Sequence, residues 1–89
     1  MIDTADARRK RILHRARYRG FKEADLLIGG FAAEAIGAMS NEELDAFEAI
    51  LAFSDHDIYA WVFRWAKPPA SVDPAIIARM RAFDASPRA

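Results

Sequence analysis

The stretch Ser40-Asn41-Glu42-Glu43-Leu44-Asp45-Ala46-Phe47-Glu48-Ala49-Ile50-Leu51 opens on a hydroxyl residue and continues at helical period. Ser40 as N-cap with Glu43 three residues later makes a capping box, and Met39 with Leu44 has the spacing of a hydrophobic staple. Leu44, Phe47, Ile50 and Leu51 then recur every three or four residues, which places them on one face of a helix. Alternating β-branched runs are absent from the chain, and Ala, Leu, Glu and Arg dominate it. The expected fold class is therefore all-α.

Downstream of this helix, Ser54 or Asp55 caps a fourth one. Its residues Ile58, Trp61, Val62 and Trp65 fall at i, i+3, i+4 and i+7, so both tryptophans are expected in the core. Tyr59 and Phe63 lie on a second face, which is expected either to pack under the fifth helix or to meet a partner. Lys67-Pro68-Pro69 ends the segment. Asp73 followed by Pro74 opens a fifth helix, because proline suits the first helical position. Its stripe is Ile76, Ile77, Met80 and Phe83, and the tail 85–89 is expected to fray.

Upstream, a second helix is expected from about Lys22 to Ala38, burying Leu27, Ile28, Phe31 and Ala35. Gly29 and Gly30 weaken it by about 1 kcal/mol each relative to alanine, and they permit close approach of a neighbour. A first helix, from about Thr4 to Tyr18, carries a narrow stripe of Ile12, Leu13 and Ala16. Gly20 is expected to end it in the left-handed conformation of a C′ residue. The sum is a single small five-helix bundle over residues 1–84.

Composition supports one domain. Eighty-nine residues, 53 % of them hydrophobic, give one thin core. There is no cysteine, hence no disulfide framework or thiol nucleophile. The longest apolar run, Leu26 to Ala33, is cut by Glu34 and is too short to span a bilayer. The expectation is a soluble bacterial cytoplasmic protein without an address of its own. Net charge is zero, but residues 1–22 hold eight Lys/Arg and residues 23–57 hold nine Asp/Glu with no base. Such blocks bear on docking orientation.

No set of residues suggests catalysis. His14 and His56 have no partner at ligand spacing, so no metal site is expected. No nucleophile, base and orienting group occur together, and no phosphate loop is present. The basic run Arg8, Arg9, Lys10, Arg11, Arg15, Arg17 and Arg19 would suit phosphates. It lacks the interleaved aromatics of a base-stacking surface, and pairing with the chain's own acidic middle is the simpler expectation.

The segment Arg19-Gly20-Phe21-Lys22-Glu23-Ala24-Asp25 remains, together with Asp55-His56-Asp57-Ile58-Tyr59-Ala60-Trp61. From the residues alone, Gly20 can be a helix end, Arg19 a surface residue and Glu23 an acid complementing a helix dipole. Helical Glu23 and Asp25 would point about 200° apart, so both can hardly face one flat partner. The expected partner-binding residues are Arg19, Gly20, Phe21, Glu23 and Asp25: Arg19, Gly20 and Glu23 form the contact patch, Phe21 is an exposed aromatic anchor, and Asp25 leans towards a structural role.

Arg-Gly-x-x-Glu followed by Asp-x-Asp-(Leu/Ile)-(Tyr/Phe)-x-Trp resembles the succinate dehydrogenase assembly factor family (SdhE in bacteria, with a mitochondrial counterpart), over roughly Arg8 to Phe83. The resemblance implies a five-helix bundle that is not an enzyme. It implies binding to the flavoprotein subunit of succinate dehydrogenase, and in some bacteria of fumarate reductase, to promote covalent attachment of FAD to a histidine there. FAD is then the partner's, with none held stably by this chain. The family's contact residues fall on Arg19, Gly20 and Glu23. His56 stands where many members have proline, and Ala24 where leucine is common. The alternative reading is an antitoxin-type or nucleic-acid-binding regulator using the basic first helix.

Overall fold

The computed structural model describes residues 4–17 and 19–85. Among the described residues there are five helices and no strand. Helix α1 is Thr4–Arg17. Helix α2 (22–38) is a composite: α-helical Lys22–Ala24, π-helical Asp25–Gly29, α-helical Gly30–Ala35 and a closing 3-10 turn, Ile36–Ala38. Helices α3 (Asn41–Leu51), α4 (Asp55–Val62) and α5 (Pro74–Ala85) complete the order. The expected five-helix bundle is present. Ala85, expected to fray with the tail 85–89, is the last residue of α5 instead; Tyr18, expected to close the first helix, and residues 86–89 lie outside the described residues.

The start signals work as the sequence implies. Ser40 Oγ accepts from the Glu43 backbone N–H at 3.2 Å, and a Glu43 carboxylate oxygen accepts from the Ser40 backbone N–H at 2.9 Å. Both orphan donors are thereby satisfied. Met39 and Leu44 are buried on either side of the cap. Ser54, rather than Asp55, caps α4 by accepting from the Asp57 backbone N–H at 3.1 Å. Asp73 Oδ1 accepts from the Ala75 backbone N–H at 2.9 Å, with Pro74 first in the helix.

The core draws on every helix. Ile12 and Ala16 of α1, Leu27, Ile28, Phe31 and Ala32 of α2, and Leu44, Phe47, Ile50 and Leu51 of α3 are buried. Ile58, Trp61 and Val62 of α4 join them, as do Ile76, Ile77 and Met80 of α5. Phe31 packs edge-on against Phe47 at 5.6 Å and against Phe83 at 6.0 Å between ring centres.

The paired glycines of α2 sit where two helices come close. A Cβ on Gly29 would lie 3.1 Å from the Arg17 Cα and 3.3 Å from the Ala16 carbonyl oxygen, both backbone atoms of α1. A Cβ on Gly30 would lie 3.0 Å from the Phe83 ring of α5. The close approach expected of these residues is realised, with Gly29 at the end of a widened π turn and Gly30 at the start of the α-helical segment after it.

Charge blocks meet each other across the bundle. Arg8 bonds Asp45 and Glu48 of α3, the latter at 2.7 Å, and Arg15 lies 3.5 Å from Glu48. Arg9 donates to the Ile36 carbonyl at 3.1 Å and the Met39 carbonyl at 2.8 Å, closing the end of α2. Much of the basic face of α1 is thus spent inside the molecule, as the simpler expectation had it. No described helix is long and apolar enough to cross a membrane.

Candidate functional site

The loop between α1 and α2 leads straight to the turn between α3 and α4. Arg19 donates through Nε to Asp55 Oδ1, through Nη1 to the Leu51 carbonyl at 3.1 Å and through Nη2 to the Phe53 carbonyl at 2.8 Å. The guanidinium therefore closes the carbonyl end of α3, where a positive charge complements the helix dipole. The Arg19 side chain is only 10 % exposed and that of Asp55 15 %. The other Asp55 oxygen, Oδ2, accepts from the Gly20 backbone N–H. Asp25 Oδ1 accepts from the Arg19 backbone N–H at 2.6 Å, so Asp25 has the structural role expected of it.

The two sequence blocks are consequently one unit, joined by a single carboxylate. The expectation for Gly20 needs correction. No glycine among the described residues has a positive φ, so a left-handed turn is not what this position requires. What a side chain at Gly20 would meet instead is its neighbour: a Cβ would stand 2.6 Å from Asp55 Oδ2, and that carboxylate, tied to Arg19, would have to shift. Arg19 likewise faces inward across most of its guanidinium, while Gly20, Lys22 and Glu23 are exposed. Of the expected contact patch, Gly20 and Glu23 line the surface and Arg19 anchors it from beneath.

Phe21 is half-buried, not a free aromatic anchor. Its ring stacks on His56 with centres 4.9 Å apart and meets Tyr59 edge-on at 5.3 Å. Tyr59 continues to Phe63 at 4.6 Å and to Trp65 at 5.7 Å, and Phe63 stacks on Trp65 at 5.5 Å. The second face expected at Tyr59 and Phe63 is thus an aromatic ridge that runs from the Gly20 loop along α4.

Trp65 departs furthest from its expectation. It was placed in the core by its heptad-like spacing, yet it is 72 % exposed. The reason is that α4 ends at Val62, before Trp65 completes the stripe. The Trp65 N–H bonds the Ala60 carbonyl at 2.8 Å and the Arg64 N–H bonds the Trp61 carbonyl at 3.3 Å. That pair is a Schellman motif, with Arg64 at φ 63° in the position glycine usually takes. The chain reverses, and the indole is turned outward beside Tyr59.

Leu26, 64 % exposed, is a second surface residue that sequence reasoning passed over. It lies one turn from Glu23, and with Leu27, Tyr59 and Asp84 these two line a shallow depression of about 200 Å3. The signal was present: Leu26 leads the longest apolar run, whose buried positions include Leu27, Ile28, Phe31 and Ala32. Asp55 was missed as the partner of Arg19 because 36 residues separate them. Among the described residues no group of His, Asp or Glu is placed to hold a metal ion. The surface offers shape, apolar area and a few charges, which is the chemistry of docking.

A family profile described as flavinator of succinate dehydrogenase matches residues 10–84. Among curated proteins, the mitochondrial succinate dehydrogenase assembly factor 2 of Candida glabrata is 47 % identical over 60 residues, which is 67 % of this chain and 39 % of that protein. The protein of the same name from Saccharomyces cerevisiae is 43 % identical over 56 residues, 63 % of this chain and 35 % of its own length. The FAD assembly factor SdhE of Acetobacter pasteurianus is 43 % identical over 61 residues, 68 % of this chain and 56 % of that protein. The alignments therefore span well under two thirds of each relative.

Proposed function

The chain belongs to the family described as flavinator of succinate dehydrogenase, and from that premise we propose that it binds the flavoprotein subunit of this enzyme and promotes covalent attachment of FAD to it. The observation that carries the reading is the Asp55 carboxylate. It gathers Arg19 and Gly20 of one block onto the first residue of the other, inside the segment that the family profile matches. Names of relatives from yeasts and from a bacterium point the same way.

This chain contributes placement. Its Gly20 backbone, on a loop held from two sides by Asp25 and Asp55, and its Glu23 carboxylate, in the first turn of α2, stand at the surface. A rigid patch of this kind binds with little ordering cost. Docked against the flavoprotein, it would hold the reacting side chain and the flavin in near-attack geometry, an effect that supplies several kcal/mol without a catalytic group from the helper. FAD supplies the electrophilic ring and stays with the partner; fumarate reductase is a second candidate client.

Deleting the gene and measuring flavin fluorescence of the denatured flavoprotein tests the reading. Loss of covalent flavin, restored by the wild-type chain, is expected; undiminished covalent flavin would refute it. A regulator that grips nucleic acid finds little support, since Arg8, Arg9 and Arg15 are engaged with the chain's own acids and carbonyls.

A further inference from the structure

The turn after α4 carries three features that docking by Gly20 and Glu23 leaves unexplained. Trp65 is the most exposed large hydrophobic side chain among the described residues. Arg64 is held at φ 63°, a conformation that a residue with a Cβ adopts at an energetic penalty. Arg64, Lys67 and Arg81 line a depression of about 330 Å3 with Trp65, and no acid is among its lining residues.

Each feature narrows the occupant. Arg81 spends Nε and Nη2 on the Val62 and Trp61 carbonyls, at 3.2 and 2.7 Å, which fixes its charge at the end of α4. Arg64 and Lys67 are exposed, and among the described residues neither makes an ion pair. Three cations with no acid between them favour a negatively charged partner segment. The indole beside them offers a large, rigid apolar contact, the kind of side chain that dominates interfaces. Strain in the backbone is kept where the surrounding structure over-determines it, commonly at a binding site. Here two Schellman bonds hold Arg64 and set the indole outward.

The ridge also connects this turn to the loop already described. Trp65 touches Tyr59, and Tyr59 touches Phe21 and borders the Glu23 and Leu26 depression. One surface thus runs from an acidic end, with Glu23 and Asp84, over aromatic rings to a basic end. We propose that the Trp65 turn is a second docking point for the same flavoprotein, taking an acidic segment of that subunit against Trp65, Arg64 and Lys67. This rests on the function proposed above and names which part of the partner is recognised.

Titration calorimetry of the full chain against the purified flavoprotein subunit, at low and at physiological salt, tests the assignment. Trp65→Ala should weaken binding at least tenfold at both salts. The double variant Arg64→Glu, Lys67→Glu should weaken it at least tenfold at low salt and flatten the salt dependence. Circular dichroism of both variants should match wild type, because the three side chains are exposed. Wild-type binding with both variants within twofold of it overturns this assignment alone. Failure of the wild-type chain to bind removes the proposed function and the assignment with it. Should Trp65→Ala convert a wild-type dimer to a monomer in sedimentation, the face belongs to a second copy and the assignment is overturned.

Discussion

The Asp55 carboxylate, on the first residue of α4, reaches the Gly20 backbone in the α1–α2 loop, and it occupies the space where a side chain on Gly20 would begin. A glycine in an exposed loop therefore has an internal cause. The same carboxylate is tied by Arg19, so it cannot swing away freely to make room.

Gly20→Ala should destabilise the protein by about 1–2 kcal/mol, the usual effect of forcing one extra carbon against a held neighbour. In an Asp55→Ala background the same substitution should be milder by about 1 kcal/mol, since directly contacting residues couple on that scale. Denaturant midpoints of the four proteins measure this. Strict additivity would mean that Asp55 is not what excludes the side chain.

Arg19 is embedded in the scaffold more than it is offered to a partner, and its variants should show it. Arg19→Ala leaves Asp55 without its cation and two carbonyls without donors. With the pair partly screened by solvent, a loss of about 2–3 kcal/mol is expected, below the range for full burial. Arg19→Lys should recover little, because an ammonium cannot bond three acceptors spread over a planar fork. Thermal melts decide it: an unchanged midpoint for Arg19→Ala would return this residue to a purely partner-facing role.

The helices were legible because their signals are local. Ser40 with Glu43 and Asp73 with Pro74 are caps readable within four residues, the cap of α4 is readable down to the choice between Ser54 and Asp55, and all three form. The two glycines of α2 were legible as a point of close approach, but the π turn that ends at Gly29 was not, since a glycine pair signals a close neighbour and not the backbone hydrogen-bond pattern beside it. The surface was half legible. Gly20 and Glu23 are where the pattern put them, whereas the inward turn of Arg19 depends on carbonyls 32 and 34 residues away. Trp65 was misplaced for a clear reason: periodicity assumes that the helix continues, and a Schellman turn at a non-glycine residue gives no local warning.

Arg64 supplies a stabilising substitution. Glycine at that C′ position removes the steric penalty of a left-handed residue with a Cβ, partly offset by glycine's greater freedom in the unfolded chain. Arg64→Gly should raise stability by about 1 kcal/mol, which for a domain of this size is roughly 4–8 °C in Tm. A lower Tm would mean that the Arg64 side chain contributes more than its backbone conformation loses.

Acid should loosen the start of α3 in a narrow window. The Ser40 backbone N–H, with the Ser40 side chain and Arg79, holds the Glu43 carboxyl below its ordinary value of 4.5, against a smaller opposing effect of desolvation. A carboxyl depressed in the folded state binds protons more readily in the unfolded chain, so its contribution is complete above the unfolded value and fades as pH falls through the folded one. Glu43 should therefore contribute a constant amount at neutral pH and a declining one below about pH 4.5. Glu43→Gln keeps a side chain able to close the capping box but cannot titrate. Unfolding followed from pH 7 to pH 3 should show a shallower acid limb for Glu43→Gln than for wild type. Parallel limbs would mean that the carboxyl is not held down by its cap, and that the acid sensitivity of the molecule arises elsewhere.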